Sequence, residues 1–301
     1  MSDLAIIHSA DYANWIFDDT HPTQGRRFVL GAQMTRSMAE GSGLTVEMVD
    51  PHPVTRSVLH TVHSHTYVAS VIDEGISDEW LGVRFDMADL ATTFVGGTLA
   101  ALDVLDDADA PLTAVHLPGA KHHAMTGHSS GFCIFADFAI AAHRAVSRGH
   151  RVAILDIDAH HGDGTEALCW GSPDILTYSI HEDGIFPGSG LTDDLDHNAW
   201  NWALPGGSGD RELWKAVREF TSLADDFDPT MIFLAAGADG HVTDPLSSLR
   251  YTIDGLAGAA AMVRRMFPST PILMGGAGGY TPDGATPFAW ASMATALAVR
   301  S

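Results

Sequence analysis

Basic residues are scarce: Lys and Arg together number 16 against 38 Asp and Glu, a formal net charge of −22. So acidic a chain offers no broad basic face, which argues against nucleic acid or an anionic membrane as a partner. Only two lysines occur, Lys121 and Lys215, a bias of composition rather than a sign of function. Cysteine is as rare. Cys133 and Cys169 form no Cys-x-x-Cys pair, which excludes zinc ribbons and thioredoxin-type redox motifs. No basic stretch leads into a long apolar run within residues 1–10, so no secretory signal is expected. Apolar runs elsewhere are broken by Asp, Gly or His well short of the roughly 20 residues of a membrane span. These absences point to a cytoplasmic protein. What remains is ordinary for a globular chain: 301 residues, 46% hydrophobic and 18% charged, enough for a substantial core. Histidine is abundant, 17 in all, with several pairs beside Asp and Gly.

Short apolar runs alternate with longer amphipathic segments, the pattern of an α/β fold. The runs predict strands over 4–7, 113–117, 152–156, 175–180, 231–235 and 271–275. Helices are expected over 92–106, 133–148, 210–224, 253–267 and 286–300. Gly149 is placed to cap the second helix and Asp210 to start the third. Residues 181–209, rich in Gly, Asp and Pro, read as a long irregular loop. No composition shift divides the chain, so residues 1–301 are expected to form one domain. In an open parallel sheet, ligands bind beyond the carboxyl ends of the strands. Four of these strand ends deliver His, Asp or Tyr, which predicts a single polar rim.

The densest cluster is Asp156-Ile157-Asp158-Ala159-His160-His161-Gly162-Asp163-Gly164. Along an extended segment Asp156, Asp158 and His160 share a face. Carboxylate and imidazole at that spacing suit zinc, whose catalytic sites use three protein ligands and an open position. Asp239 is placed to supply the third; the plain alternative is a charged turn with solvated carboxylates. His122-His123, after the strand at 113–117, suit acid–base work, with Asp156 and Asp163 as candidate partners. Alternatively they are core histidines with satisfied hydrogen bonds. Gly275-Gly276-Ala277-Gly278-Gly279-Tyr280 is neither a phosphate loop nor a dinucleotide fingerprint. It presents Tyr280, either as a donor to a developing oxyanion or as a buried aromatic. Phe132 and Phe186 sit in loops and suit the walls of a narrow apolar channel, though such residues are more often core. A Cys133 nucleophile is disfavoured, since metal chemistry makes a thiolate unnecessary.

Taken together, Pro118-Gly119-Ala120-Lys121-His122-His123-Ala124, Ser130-Gly131-Phe132-Cys133, the Leu155–Thr165 cluster, Phe186-Pro187-Gly188, Gly237-Ala238-Asp239 with Asp244-Pro245-Leu246, and Gly278-Gly279-Tyr280 occur in an order that resembles the histone deacetylase family. The likeness is to its class II-like bacterial branch, with acetylpolyamine amidohydrolases and acetoin-utilisation-type proteins. It runs from His21-Pro22 to Tyr280. The resemblance implies an arginase/deacetylase fold, a mostly parallel sheet of about eight strands flanked by helices. It implies one catalytic zinc on Asp158, His160 and Asp239, and a tandem His122-His123 backed by Asp156 and Asp163. Tyr280 would polarise the substrate carbonyl. A structural potassium ion would use Asp156, Asp158, His160, Ser179 and Ile180, partly through backbone carbonyls. Phe132 and Phe186 would wall an acyl-lysine channel, with Gly131, Leu246 and Gly279 beside them, and Arg27 would match a buried arginine linked to acetate exit.

The sequence also departs from the family pattern. Ala136-Asp137 stands where an Asn-rich pair is common, and Leu246 replaces the acidic gatekeeper of a polyamine-selective branch. Asp73, Glu74, Asp78 and Glu79 are left as acids able to grip a cationic substrate. Two-manganese arginase-type sites carry a further carboxylate two residues after the loop His and another two after the later Asp. Here those positions are Gly162 and His241, which favours one metal. The expected activity is hydrolysis of an N-acetylated amine, first of all acetyl-lysine in a protein or peptide. A small acetylated amine such as an acetylpolyamine or a secondary metabolite is the second reading, and a silent acyl-ligand sensor the third. Oligomeric state, including a homo-oligomer, stays open.

Overall fold

The computed structural model of the chain describes residues 2–107 and 112–299. Eight strands are present: β1 Leu4–Ile7, β2 Val46–Val49, β3 Thr113–His116, β4 Val152–Asp156, β5 Ile175–Glu182, β6 Ala199–Leu204, β7 Met231–Ala235 and β8 Ile272–Gly275. They form one sheet in the order β2-β1-β3-β8-β7-β4-β5-β6, and every pairing is parallel. Strands β1, β3, β4, β5, β7 and β8 are buried along their whole length. Strands buried on both faces in this way require helices over both. The helices Arg26–Gly41, Ala285–Ala298, Ile253–Met266 and Asp210–Phe227 contact one another in succession; His65–Glu74, Phe85–Leu105, Asp137–Ser147 and Asp163–Cys169 form a second such series. The α/β fold expected from the sequence is therefore present, with eight strands and wholly parallel.

All six expected strands form. The two that were not expected, β2 and β6, lie at the sheet's two edges and are largely only half-buried or exposed. The β6 strand also corrects the expected irregular loop over 181–209, which is shortened from both ends as β5 runs on to Glu182. Gly149 follows its helix at φ +92°, as a capping glycine should. Asp210 does not cap: the N-cap is Gly209, whose N–H donates to Glu212 Oε2 at 3.1 Å. Asp210 instead accepts from Thr252 N at 2.8 Å and Thr252 Oγ1 at 2.7 Å, joining two helix starts. Arg300, the expected end of the last helix, lies outside the described residues. Phe85–Leu105, at 21 residues, is long and apolar enough by composition to cross a membrane, more so than its interrupted runs suggest. Here 67% of its apolar window is buried, the situation of a core helix.

Two core histidines are held neutral by their partners. His63 accepts Ala136 N–H at Nε2 (2.9 Å), so its proton sits on Nδ1, which donates to Met125 O at 2.9 Å. His116, fully buried at the end of β3, bonds Tyr12 Oη and Thr98 Oγ1, both at 2.9 Å. Burial lowers His63 from 6.5 to about 4 and His116 to about 3. Both folded values lie below the unfolded one, so the unfolded chain takes up these protons first. Stability is whole above about pH 6.5 and is lost as pH falls toward 4 and then 3. For His63 alone the loss reaches roughly 3 kcal/mol. The melting temperature should therefore drop several degrees between pH 7 and pH 5; an unchanged value would contradict the neutral assignment.

Candidate metal and catalytic centre

The neighbours β3, β8, β7 and β4 sit side by side at the middle of the sheet, and each sends a loop from its carboxyl end to one place. Beyond β4 come Asp158 and His160, and beyond β7 comes Asp239. One ligand atom from each lies within 4.8 Å of the others, and all three residues are buried. Their backbone is fixed by their own carboxylates. Asp158 Oδ1 accepts His160 N at 2.9 Å, Asp158 Oδ2 accepts Gly278 N at 2.6 Å, and Asp239 Oδ1 accepts Ala159 N at 2.8 Å. Gly278 is required here, because a Cβ would strike both carboxylates. His160 Nδ1 lies 3.1 Å from Asp158 Oδ1 and 3.0 Å from Asp239 Oδ2. Burial opposes charge on this ring, yet the two carboxylates overcome it and push its pKa to about 11. Asp239 is driven up by burial and by Asp158. Two buried carboxylates so close together demand a positive charge. Oxygen and nitrogen donors in this number and spacing fit a divalent ion such as zinc.

The loop after β3 supplies the histidine pair. His122 Nδ1 donates to Asp156 Oδ2 at 2.7 Å, and its Nε2 is 3.7 Å from Asp158 Oδ1. His123 Nδ1 donates to Asp163 Oδ1 at 2.7 Å. Both expected histidine–carboxylate pairings are thus present, and the two rings part company electrostatically. Burial lowers His122, but Asp156 and Asp158 outweigh it and raise the ring to about 9. Burial, then the charge of His122, lowers His123 to about 4.

His123 and His160 reach the floor of a cavity of about 390 Å³ also lined by Gly131, Phe132, Phe186, Leu246 and Tyr280. The Phe186 ring stands edge-on to His123, centroids 4.9 Å apart. Tyr280 N donates to Asp244 Oδ2 at 2.7 Å, and its ring packs 5.9 Å from Phe132. Burial and the charges of Asp239 and Asp158 hold its phenol protonated. Arg27, buried, lies 5.3 Å from the Tyr280 ring and donates to Gly279 O. Gly279 thereby supports Tyr280 from behind and is not among the lining residues. Asp156 and Ser179 line a small hollow behind the histidines, whereas the Ile180 side chain is in the core.

A family profile described as "Histone deacetylase domain" matches residues 21–297. The chain belongs to the histone deacetylase family. It is similar to the "Acetoin utilization protein AcuC" of Bacillus subtilis (strain 168), 31% identical over 97% of this chain and 81% of that protein. The protein of the same name from Staphylococcus aureus (strain MRSA252) is 31% identical over 99% and 82%. A "Probable deacetylase" of Archaeoglobus fulgidus is 28% identical over 97% and 86%.

In this histone deacetylase-family chain His241 Nδ1 bonds Thr243 Oγ1 at 2.9 Å, and Asp158, His160 and Asp239 are the one clustered trio among the described residues. Of the four acids left open in the sequence, Glu79 alone lines the cavity, with Oε2 accepting Phe132 N at 2.8 Å. Asp73 is bound to Arg56 on the surface. Sequence reading missed Ile185 as a lining residue and the role of Asp137. That carboxylate accepts Ala120 N at 3.0 Å, Lys121 N at 2.7 Å and the Thr98 hydroxyl, and so braces the turn that aims both histidines. Its signal was the Asp itself, in a position read only as a departure. Asp137→Asn turns one acceptor oxygen into a donor facing a backbone N–H. We expect turnover about tenfold lower and stability reduced by about 1–3 kcal/mol, checked by kinetics and denaturant melts; unchanged values would remove Asp137 as a brace.

Proposed function

We propose that the chain is a single-domain, zinc-dependent deacetylase that hydrolyses an N-acetylated amine, with acetyl-lysine in a protein or peptide as the first candidate substrate. The observation that carries this reading is the convergence of Asp158, His160 and Asp239 beside two histidines, each bonded to its own carboxylate, at the floor of an apolar cavity. Zinc held by those three residues would supply Lewis-acid activation of the carbonyl and of water. The chain's own groups do the rest. His123 Nε2, free of the Asp163 bond, takes a proton from water and returns it to the leaving amine. His122, cationic and anchored on Asp156, stabilises the charge that develops beside it. Tyr280 Oη donates to the carbonyl oxygen as it becomes an oxyanion. Phe132 and Phe186 hold the methylene stem and exclude water. Asp156 and Ser179, with the Ile180 carbonyl, are the groups that would take a potassium ion.

A small acetylated amine bearing a second positive charge is the other reading, favoured by Glu79, since no Lys or Arg lines the cavity. The test is acetate release by zinc-loaded protein from an acetyl-lysine peptide and from N-acetylputrescine. Turnover of either supports a deacetylase and ranks the two readings. Saturable binding with no acetate released from either would overturn it in favour of a silent acyl-ligand sensor.

A further inference from the structure

Phe186 stands on a surface segment, residues 184–190, in which Gly184, Gly188 and Gly190 all have positive φ. Such a segment needs external anchors to hold an aromatic ring in place. Its approach is tied down: Glu182 N donates to Ala159 O at 2.9 Å and Asp183 N to Leu204 O at 2.8 Å. Its far end is held by two buried histidines outside the catalytic pair. His161 Nε2 donates to Glu166 Oε2 at 3.1 Å, leaving Nδ1 to accept the Ser189 hydroxyl at 2.9 Å. His181 Nε2 donates to Gly190 O at 2.9 Å, and its Nδ1 accepts the Ser179 hydroxyl at 3.0 Å. The two rings lie 4.8 Å apart. The backbone of Gly190 is pressed so closely on both that a Cβ there would strike them. Asn201 Nδ2 donates to Glu166 Oε2 at 2.8 Å and completes the strap.

We propose that His161 and His181 are positioning residues that clamp the Gly184–Gly190 segment, so that Phe186 stands against His123 as a fixed channel wall. The sequence reading left both histidines without a role, and neither lines the cavity. His161 follows His160 directly, so the loop that offers the metal ligands is also the post to which the aromatic wall is tied. The wall's effect on substrate rests on the proposed function; the clamp itself does not.

Ser189→Ala removes the hydroxyl handle of His161 without touching the metal loop, and His181→Phe keeps the ring but not its donor. In zinc-loaded protein, amide hydrogen exchange over residues 184–190 should quicken about fivefold in each variant, the effect of one lost hydrogen bond. KM should rise by a similar factor while kcat and metal content stay close to wild type, and Ser189→Thr should restore both readouts. Unchanged exchange in both variants, or a fall in kcat at constant KM, would overturn the clamp. Should wild-type protein hydrolyse no acetylated amine, the proposed function fails, while the exchange rates still decide the clamp.

Discussion

Replacing Asp158 with Ala is expected to empty the metal site and lower amide hydrolysis by about 10³–10⁴-fold, the several kcal/mol of charge stabilisation a catalytic metal supplies. Asp158 does more than offer an oxygen. It also accepts the Gly278 and His160 backbone N–H groups, so alanine frees two loops together with the ion. Asp158→Asn separates these effects, because it keeps the volume and an acceptor oxygen but removes the charge. Elemental analysis should find little zinc in either variant, and added zinc should no longer raise the melting temperature. Full metal occupancy in Asp158→Ala would show that the ion is held elsewhere and would remove the basis of the proposed chemistry.

The centre of this fold was legible because its signals are local. Strands β4, β7 and β8 are almost wholly apolar, and the polar residues that matter follow each of them, and β3, within a few residues. Asp158 and His160 are two residues apart, and no tertiary knowledge is needed to group them. What was illegible depends on geometry between distant segments. The edge strand β2 exposes Glu47 and Met48 and reads as loop. The helix Arg26–Gly41 buries a narrow stripe in an otherwise polar sequence and was missed. Asp156, Asp158 and His160 read as sharing one face of an extended segment, yet β4 ends at Asp156 and residues 158–160 form a bend, after which the helix Asp163–Cys169 carries Asp163 round to His123. Asp137 and Glu79 had no motif to announce them. Each acts by accepting backbone N–H groups from a loop far away in sequence, and only folding creates those partners. The substrate lies beyond such local signals.

Tyr280→Phe should cost about 10²–10³-fold in kcat with little change in KM, the effect of deleting one oxyanion donor. The substitution is unusually clean. Among the described residues the Tyr280 hydroxyl makes no hydrogen bond to the protein, so its loss strands no partner. The ring stays packed against Phe132, and the backbone stays fixed by Asp244 and by Arg27 behind Gly279. Metal content and melting temperature should therefore match wild type, which separates this variant from those at Asp158. Because the phenol is held well above its usual range by burial and by Asp239 and Asp158, it is a donor throughout the working pH range. The rate deficit should thus be constant with pH rather than appear only at one end. A deficit that vanished at high pH would instead mark Tyr280 as a group that loses its proton in the working range, and near-normal turnover would leave the metal ion and His122 to stabilise the oxyanion without it.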